Sequence, residues 1–135
     1  MELSSEQIQG KVVVTVLRVK GNLDGLSYRE LIALAQKEYD ANARDFLIDL
    51  SETHYMSSAG LIVLQSIAKM LRQEKLEEEP GWGALHEIER AGSAGMLRHL
   101  KLLSPQPNVE KVLEIAGAKN IFPIFSDLAA AVASF

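Results

Sequence analysis

The sequence predicts an α/β domain: a mixed, mostly parallel sheet of about four to five strands with about four helices. Three observations point to it. Val12-Val13-Val14-Thr15-Val16-Leu17-Arg18-Val19 is rich in β-branched residues and reads as a strand. Phe46-Leu47-Ile48-Asp49-Leu50 is short and apolar, as a strand covered on both faces must be. Segments of helical period alternate with such short runs, which is the order of a parallel sheet with right-handed crossovers.

Each element has its own signal. Leu3 to Ile8 reads as a weaker first strand, and Gly10-Lys11 as the turn of a hairpin into Val12–Val19. Gly21-Asn22-Leu23-Asp24-Gly25 reads as a loop. Tyr28 to about Ala41 is amphipathic: Tyr28, Leu31, Ile32, Ala35 and Tyr39 share a face, and Ser27 precedes them as an N-cap. After Phe46–Leu50, the polar stretch Ser51–Tyr55 reads as a turn. Met56-Ser57-Ser58-Ala59-Gly60 then leads into a helix from Leu61 to about Glu74, apolar nearly all round and therefore mostly buried.

The stretch Glu77 to Ala94 breaks the pattern with an acidic run, Pro80, Gly81 and Gly83, and holds Trp82, Leu85 and Ile88. It is longer than an ordinary connection and reads as an excursion from one domain spanning residues 1–135. Met96 to Leu103 resumes as a strand. Pro107 suits a first helical position, Val109, Val112, Leu113 and Ala116 follow at helical spacing, and Gly117 closes the helix. Ile121 to Phe125 reads as an edge strand because it contains Pro123. Asp127 caps a last helix from Leu128 to about Ser134.

Composition excludes several function classes. With 14 basic and 18 acidic residues the net charge is −4, and no basic stripe is present to neutralise nucleic-acid phosphates. No apolar run approaches the roughly 20 residues of a membrane helix. The absence of cysteine removes disulfides and thiolate metal sites and fits a cytoplasmic protein, and the polar, acidic opening is unlike a secretory signal.

Catalytic constellations are missing too. His54, His86 and His99 lack metal-ligand spacing, and neither a metal nor a cofactor is expected. Ser57 and Ser58 precede a helix, but the Gly-x-Ser-x-Gly of a hydrolase elbow is absent. Asp49, ending a buried strand, admits a second reading as the phosphoacceptor of a phosphotransfer receiver. Such a site needs an acidic pair after the first strand, where Val19-Lys20-Gly21 stands. The plainer role for Asp49 is to accept backbone hydrogen bonds from the next turn.

The segment Asp49-Leu50-Ser51-Glu52-Thr53-His54-Tyr55-Met56-Ser57-Ser58-Ala59-Gly60-Leu61 resembles the signature of STAS domains, and most of all that of bacterial anti-sigma factor antagonists. Gly21-Asn22-Leu23-Asp24 is similar to the family's Gly-x-Leu-Asp loop, and Pro107-Asn108-Val109 to the start of its later helix. The resemblance implies a STAS-like fold and a regulatory module that is bound rather than catalytic. It implies binding to an anti-sigma factor serine kinase, release of a sigma factor, and control by phosphorylation at Ser58, with Asp24, Ser57, Ser58, Ala59 and Gly60 at the partner surface. A STAS module of another signalling or transporter-associated assembly is the nearest alternative. Two features depart from the family pattern: Ser57 stands where Asp is common, and residues 77–94 read as an insertion. An unmodified Ser58 is expected to cap the following helix. The sequence leaves a homodimer open.

Overall fold

The computed structural model of the protein describes residues 1–72 and 98–135. The expected insertion at 77–94, with Trp82, Leu85, Ile88 and His86, lies outside the described residues, as does the start of the strand expected from Met96.

The chain opens as a hairpin of β1 (Glu2–Gln9) and β2 (Val13–Leu23), antiparallel with Ile8 opposite Val14 and Leu3 opposite Val19. Then follow α1 (Tyr28–Asp40), β3 (Phe46–Asp49), β4 (Thr53–Met56) and α2 (Ser58–Leu71). After the undescribed stretch come β5 (Leu100–Leu103), α3 (Pro107–Ile115), β6 (Ile124–Phe125) and α4 (Leu128–Ala133). Among the described residues six strands form one sheet in the order β1-β2-β3-β5-β6, with β4 paired to the far end of β2, and every pairing except β1 with β2 is parallel.

The period-2 alternation of strands sorts the core into two layers. Leu17, Ile48 and Leu102 stand in register across β2, β3 and β5 and pack with Leu31 of α1, Ile67 of α2 and Leu113 of α3. On the other face Val16, Leu47 and Leu103 meet Ala131 and Val132 of α4. Phe46, Leu47 and Ile48 are buried, as a central strand requires. Lys101 also faces α4. Its ammonium donates to the Ser134 carbonyl at 2.9 Å, at the negative end of that helix, and lies over the Phe135 ring. Burial, to 7 % exposure, pulls its pKa below the usual lysine value, and the Asp45 carboxylate opposes that shift.

Several expectations need correction. Among the described residues the sheet has six strands rather than four or five, because Thr53–Met56 is a strand and not a turn. The Thr53 hydroxyl donates to the Val19 carbonyl at 2.8 Å, and the Gly21 N–H donates to the Glu52 carbonyl at 3.0 Å. These bonds recruit Gly21-Asn22-Leu23, read as loop, into β2. The pairing shifts register after Gly21, whose φ of 105° suits glycine.

Ser27 does occupy the N-cap position of α1, yet its hydroxyl makes no cap; it donates to the Asn22 carbonyl at 2.8 Å instead. The last strand shrinks to Ile124–Phe125, with a 3-10 turn at Ala118–Asn120 and Pro123 before it. His54 falls in β4 and His99 precedes β5. Pro107 opening α3, Gly117 following it at φ 75°, and the Asp127 carboxylate accepting the Ala130 N–H at 2.8 Å all stand as expected.

Candidate functional site: the start of helix α2

Two parallel strands bring the site together. Leu23 at the end of β2 pairs with Met56 at the end of β4, and the Ser57 N–H donates to the Leu23 carbonyl at 3.0 Å. The Asp24 loop and the Ser57–Ser58 segment therefore leave the sheet side by side, at the carboxyl ends of their strands, where open α/β sheets place their sites.

Helix α2 begins three residues earlier than its apolar pattern suggests, and its cap is Ser57, not Ser58. Ser57 is extended (φ −89°, ψ −179°), and its hydroxyl oxygen accepts the Ala59 N–H at 3.2 Å. That geometry is the ordinary one for an N-cap, which must be non-helical while its side chain reaches back to a free N–H. Ser58 is then the first helical residue and is exposed. No acidic side chain lies in the first turn of α2, so that turn offers no carboxylate of its own to the positive end of the helix.

The next two residues turn inward. Ala59 and Gly60 are buried, and a Cβ on Gly60 would lie 2.7 Å from the Met56 sulfur. The small residue thus lets the Met56 side chain fold back under the helix start. Of the four residues Ser57–Gly60, only Ser58 is exposed.

Asp24, expected at the partner surface, is half-buried and organises its own loop. Its carboxylate accepts the Leu26 N–H at 3.0 Å and its carbonyl accepts the N–H groups of Ser27 and Tyr28. The side chain that this loop exposes is Leu26, which the sequence reading missed, since a lone apolar residue in a Gly-Leu-Ser turn carries no periodic signal. Helix α3 braces the far side: the Asn108 amide donates to the His54 carbonyl, and the Gln106 amide to the Ser51 carbonyl at 2.9 Å.

Asp49 accepts the Ser51 N–H at 3.0 Å and lies 3.5 Å from the Arg18 guanidinium, so its carboxylate holds the turn between β3 and β4. A polar cleft of about 370 Å³ opens beside it, lined by Glu2, Arg18, Lys20 and Glu52; it includes none of Ser57–Gly60. Among the described residues no group of three or more His, Asp or Glu side chains is placed to hold a metal, and no helix is long and apolar enough to cross a membrane.

A mixed sheet with three helices on one face, and a serine pair at an open helix start, define a STAS-type module. The chain belongs to the STAS domain family, whose model matches residues 5–77, more than half of its length. Its relative in Bordetella bronchiseptica, named "Putative anti-sigma factor antagonist BtrV", is 29% identical over 135 residues, covering 100% of this chain and 95% of the relative. Solved structures share the fold, two of them as follows. The anti-sigma factor antagonist from Mycobacterium paratuberculosis is 18% identical with a TM-score of 0.66, over 98% of this chain and 93% of that one. The phosphorylated form of Bacillus SpoIIAA is 16% identical with a TM-score of 0.60, over 97% and 96%.

Proposed function

We propose that this protein is an anti-sigma factor antagonist that acts in the cytoplasm by partner switching. It transforms no substrate. It binds an anti-sigma factor serine kinase through the edge formed by the Asp24 loop and Ser57–Gly60, and so frees the sigma factor that the kinase holds. Phosphorylation of Ser58 by that kinase ends the complex.

One observation carries the reading: Ser58 is the exposed first residue of a helix whose cap is made by its neighbour. Its hydroxyl is therefore spared from holding the fold. A phosphate there brings about −1.5 to −2 charges into the field of a helix N-terminus, which favours anions. The fold keeps its stability to within about 1 kcal/mol, while a partner docked on that edge meets a strongly hydrated dianion. Each 1.4 kcal/mol lost in the complex is about tenfold in affinity. The name of the Bordetella relative, an anti-sigma factor antagonist, supports the assignment.

The test is a pull-down from native lysate on the immobilised full chain, with partner identification by mass spectrometry. A serine kinase that also binds a sigma factor is the expected partner. Reproducible recovery of a different class of partner, with no such kinase, would refute the reading.

A further inference from the structure

Leu26 is 96% exposed, more than Ile115 at 78%, the next most exposed large apolar residue among those described. Single exposed apolar residues are common and need no explanation by themselves. Leu26 differs in how it is held. The Asp24 carboxylate accepts its N–H at 3.0 Å; the Asp24 carbonyl accepts the N–H groups of Ser27 at 3.2 Å and Tyr28 at 2.9 Å. The Ser27 hydroxyl accepts the Asp24 N–H at 3.1 Å and donates to the Asn22 carbonyl at 2.8 Å. The turn spends its polar groups on fixing itself and carries a bare isobutyl group at its tip.

The position matters as much as the exposure. Leu23, directly before this turn, pairs with Met56 and accepts the Ser57 N–H, so the turn and Ser58 rise from adjacent strand ends. We infer that Leu26 is the apolar anchor of this edge, seated in an apolar pocket of the serine kinase; the inference rests on the function proposed above.

Three arguments favour a protein with such a pocket. Interfaces draw most of their affinity from a few residues that become fully buried, and Leu26, the most exposed large apolar residue among those described, has the most to bury; Asp24 and Ser27 flank it in a turn that leaves the sheet beside Ser57. A turn already rigid loses little conformational entropy on docking. An anionic lipid surface is disfavoured, because Asp24–Ser27 contains an acid and no base, and the whole chain carries a net charge of −4.

The inference separates two roles. Leu26 supplies affinity in both phosphorylation states, and Ser58 supplies the switch. As a docking residue that takes no part in the phosphoryl transfer, Leu26 binds alike before and during the reaction, so it acts on KM and not on kcat.

The experiment uses the full chain as wild type, Leu26→Asp, Leu26→Met and Ile115→Asp. Ile115 ends α3, about 10 Å along the helix from Asn108, which is bonded to β4. Each protein is immobilised in the same lysate, and retained serine kinase is quantified. The kinase recovered on wild type is then purified and assayed with ATP against each variant. Leu26→Asp is expected to lower recovery, and to raise KM for phosphorylation of this protein, by about tenfold or more. Its kcat and thermal unfolding should match wild type, and Leu26→Met and Ile115→Asp should behave as wild type. A kinase that binds Leu26→Asp as well as wild type, or that loses Ile115→Asp equally, overturns the anchor while leaving the kinase reading intact. A Leu26-dependent partner with no kinase domain overturns the proposed occupant together with that reading.

Discussion

The Ser57 hydroxyl oxygen accepts the backbone N–H of Ala59 at 3.2 Å, so the cap of α2 belongs to Ser57 and the neighbouring Ser58 is spared that task. Two adjacent serines of the same chemistry are thereby given different work, one structural and one at the surface.

Stability measurements should separate them. Ser57→Ala removes the cap and should lower the unfolding free energy by about 1 kcal/mol, within a range of roughly 0.5–2. Ser57→Asp keeps a capping oxygen and adds a charge that the helix field favours, so it should unfold at the same urea concentration as wild type or a higher one. Ser58→Ala should stay within about 0.5 kcal/mol of wild type. A Ser58→Ala cost equal to that of Ser57→Ala would show that the cap is assigned to the wrong residue.

Gly60 and Met56 form a second coupled pair, because a Cβ on Gly60 would press into the buried Met56 side chain. Gly60→Ala should cost about 1–3 kcal/mol as overpacking. Met56→Ala should cost about 2–5 kcal/mol as a cavity. The double variant should lose less than the sum, since each change makes room for the other. Strict additivity in urea melts would mean that the two side chains do not compete for the same space.

Residues 77–94 are proposed to be an insertion in a single domain. Replacing them with a short Gly/Ser linker should leave a folded protein, because the entropy of closing a loop depends weakly on its length. Far-UV circular dichroism and a cooperative melt are the checks. An unfolded product would place that stretch in the core.

Elements with a local signal were legible from the sequence. The β-branched run of β2, the apolar Phe46–Ile48, Pro107 at the start of α3, Gly117 after it and Asp127 before α4 each carry their own physical reason. What escaped depends on contacts distant in sequence. Strand β4 is four residues long with His54 and Tyr55 exposed, so it has no period-2 pattern; it exists because Thr53 bonds to Val19, 34 residues away. The same pairing turns Gly21–Leu23 from loop into strand. The early start of α2 was hidden because Ala59 and Gly60 add nothing to an apolar stripe, and the packing of Met56 against Gly60 is visible only in three dimensions. At the site, the serine pair and the Asp24 loop were found by resemblance. The division of labour between Ser57 and Ser58, and the exposure of Leu26, needed coordinates.

The central claim is that Ser58 receives phosphate and that the phosphate acts on binding and not on folding. Phosphopeptide mapping after incubation with the cognate kinase and ATP, paired with calorimetric titration of Ser58→Asp, Ser58→Ala and Ser57→Ala against that kinase, tests it most directly. The account predicts phosphate on Ser58 in wild type and in Ser57→Ala, none in Ser58→Ala, and a normally folded Ser58→Asp that binds at least about tenfold more weakly, a loss of about 1.4 kcal/mol. Phosphate on Ser57, or full-affinity binding by Ser58→Asp, would contradict it.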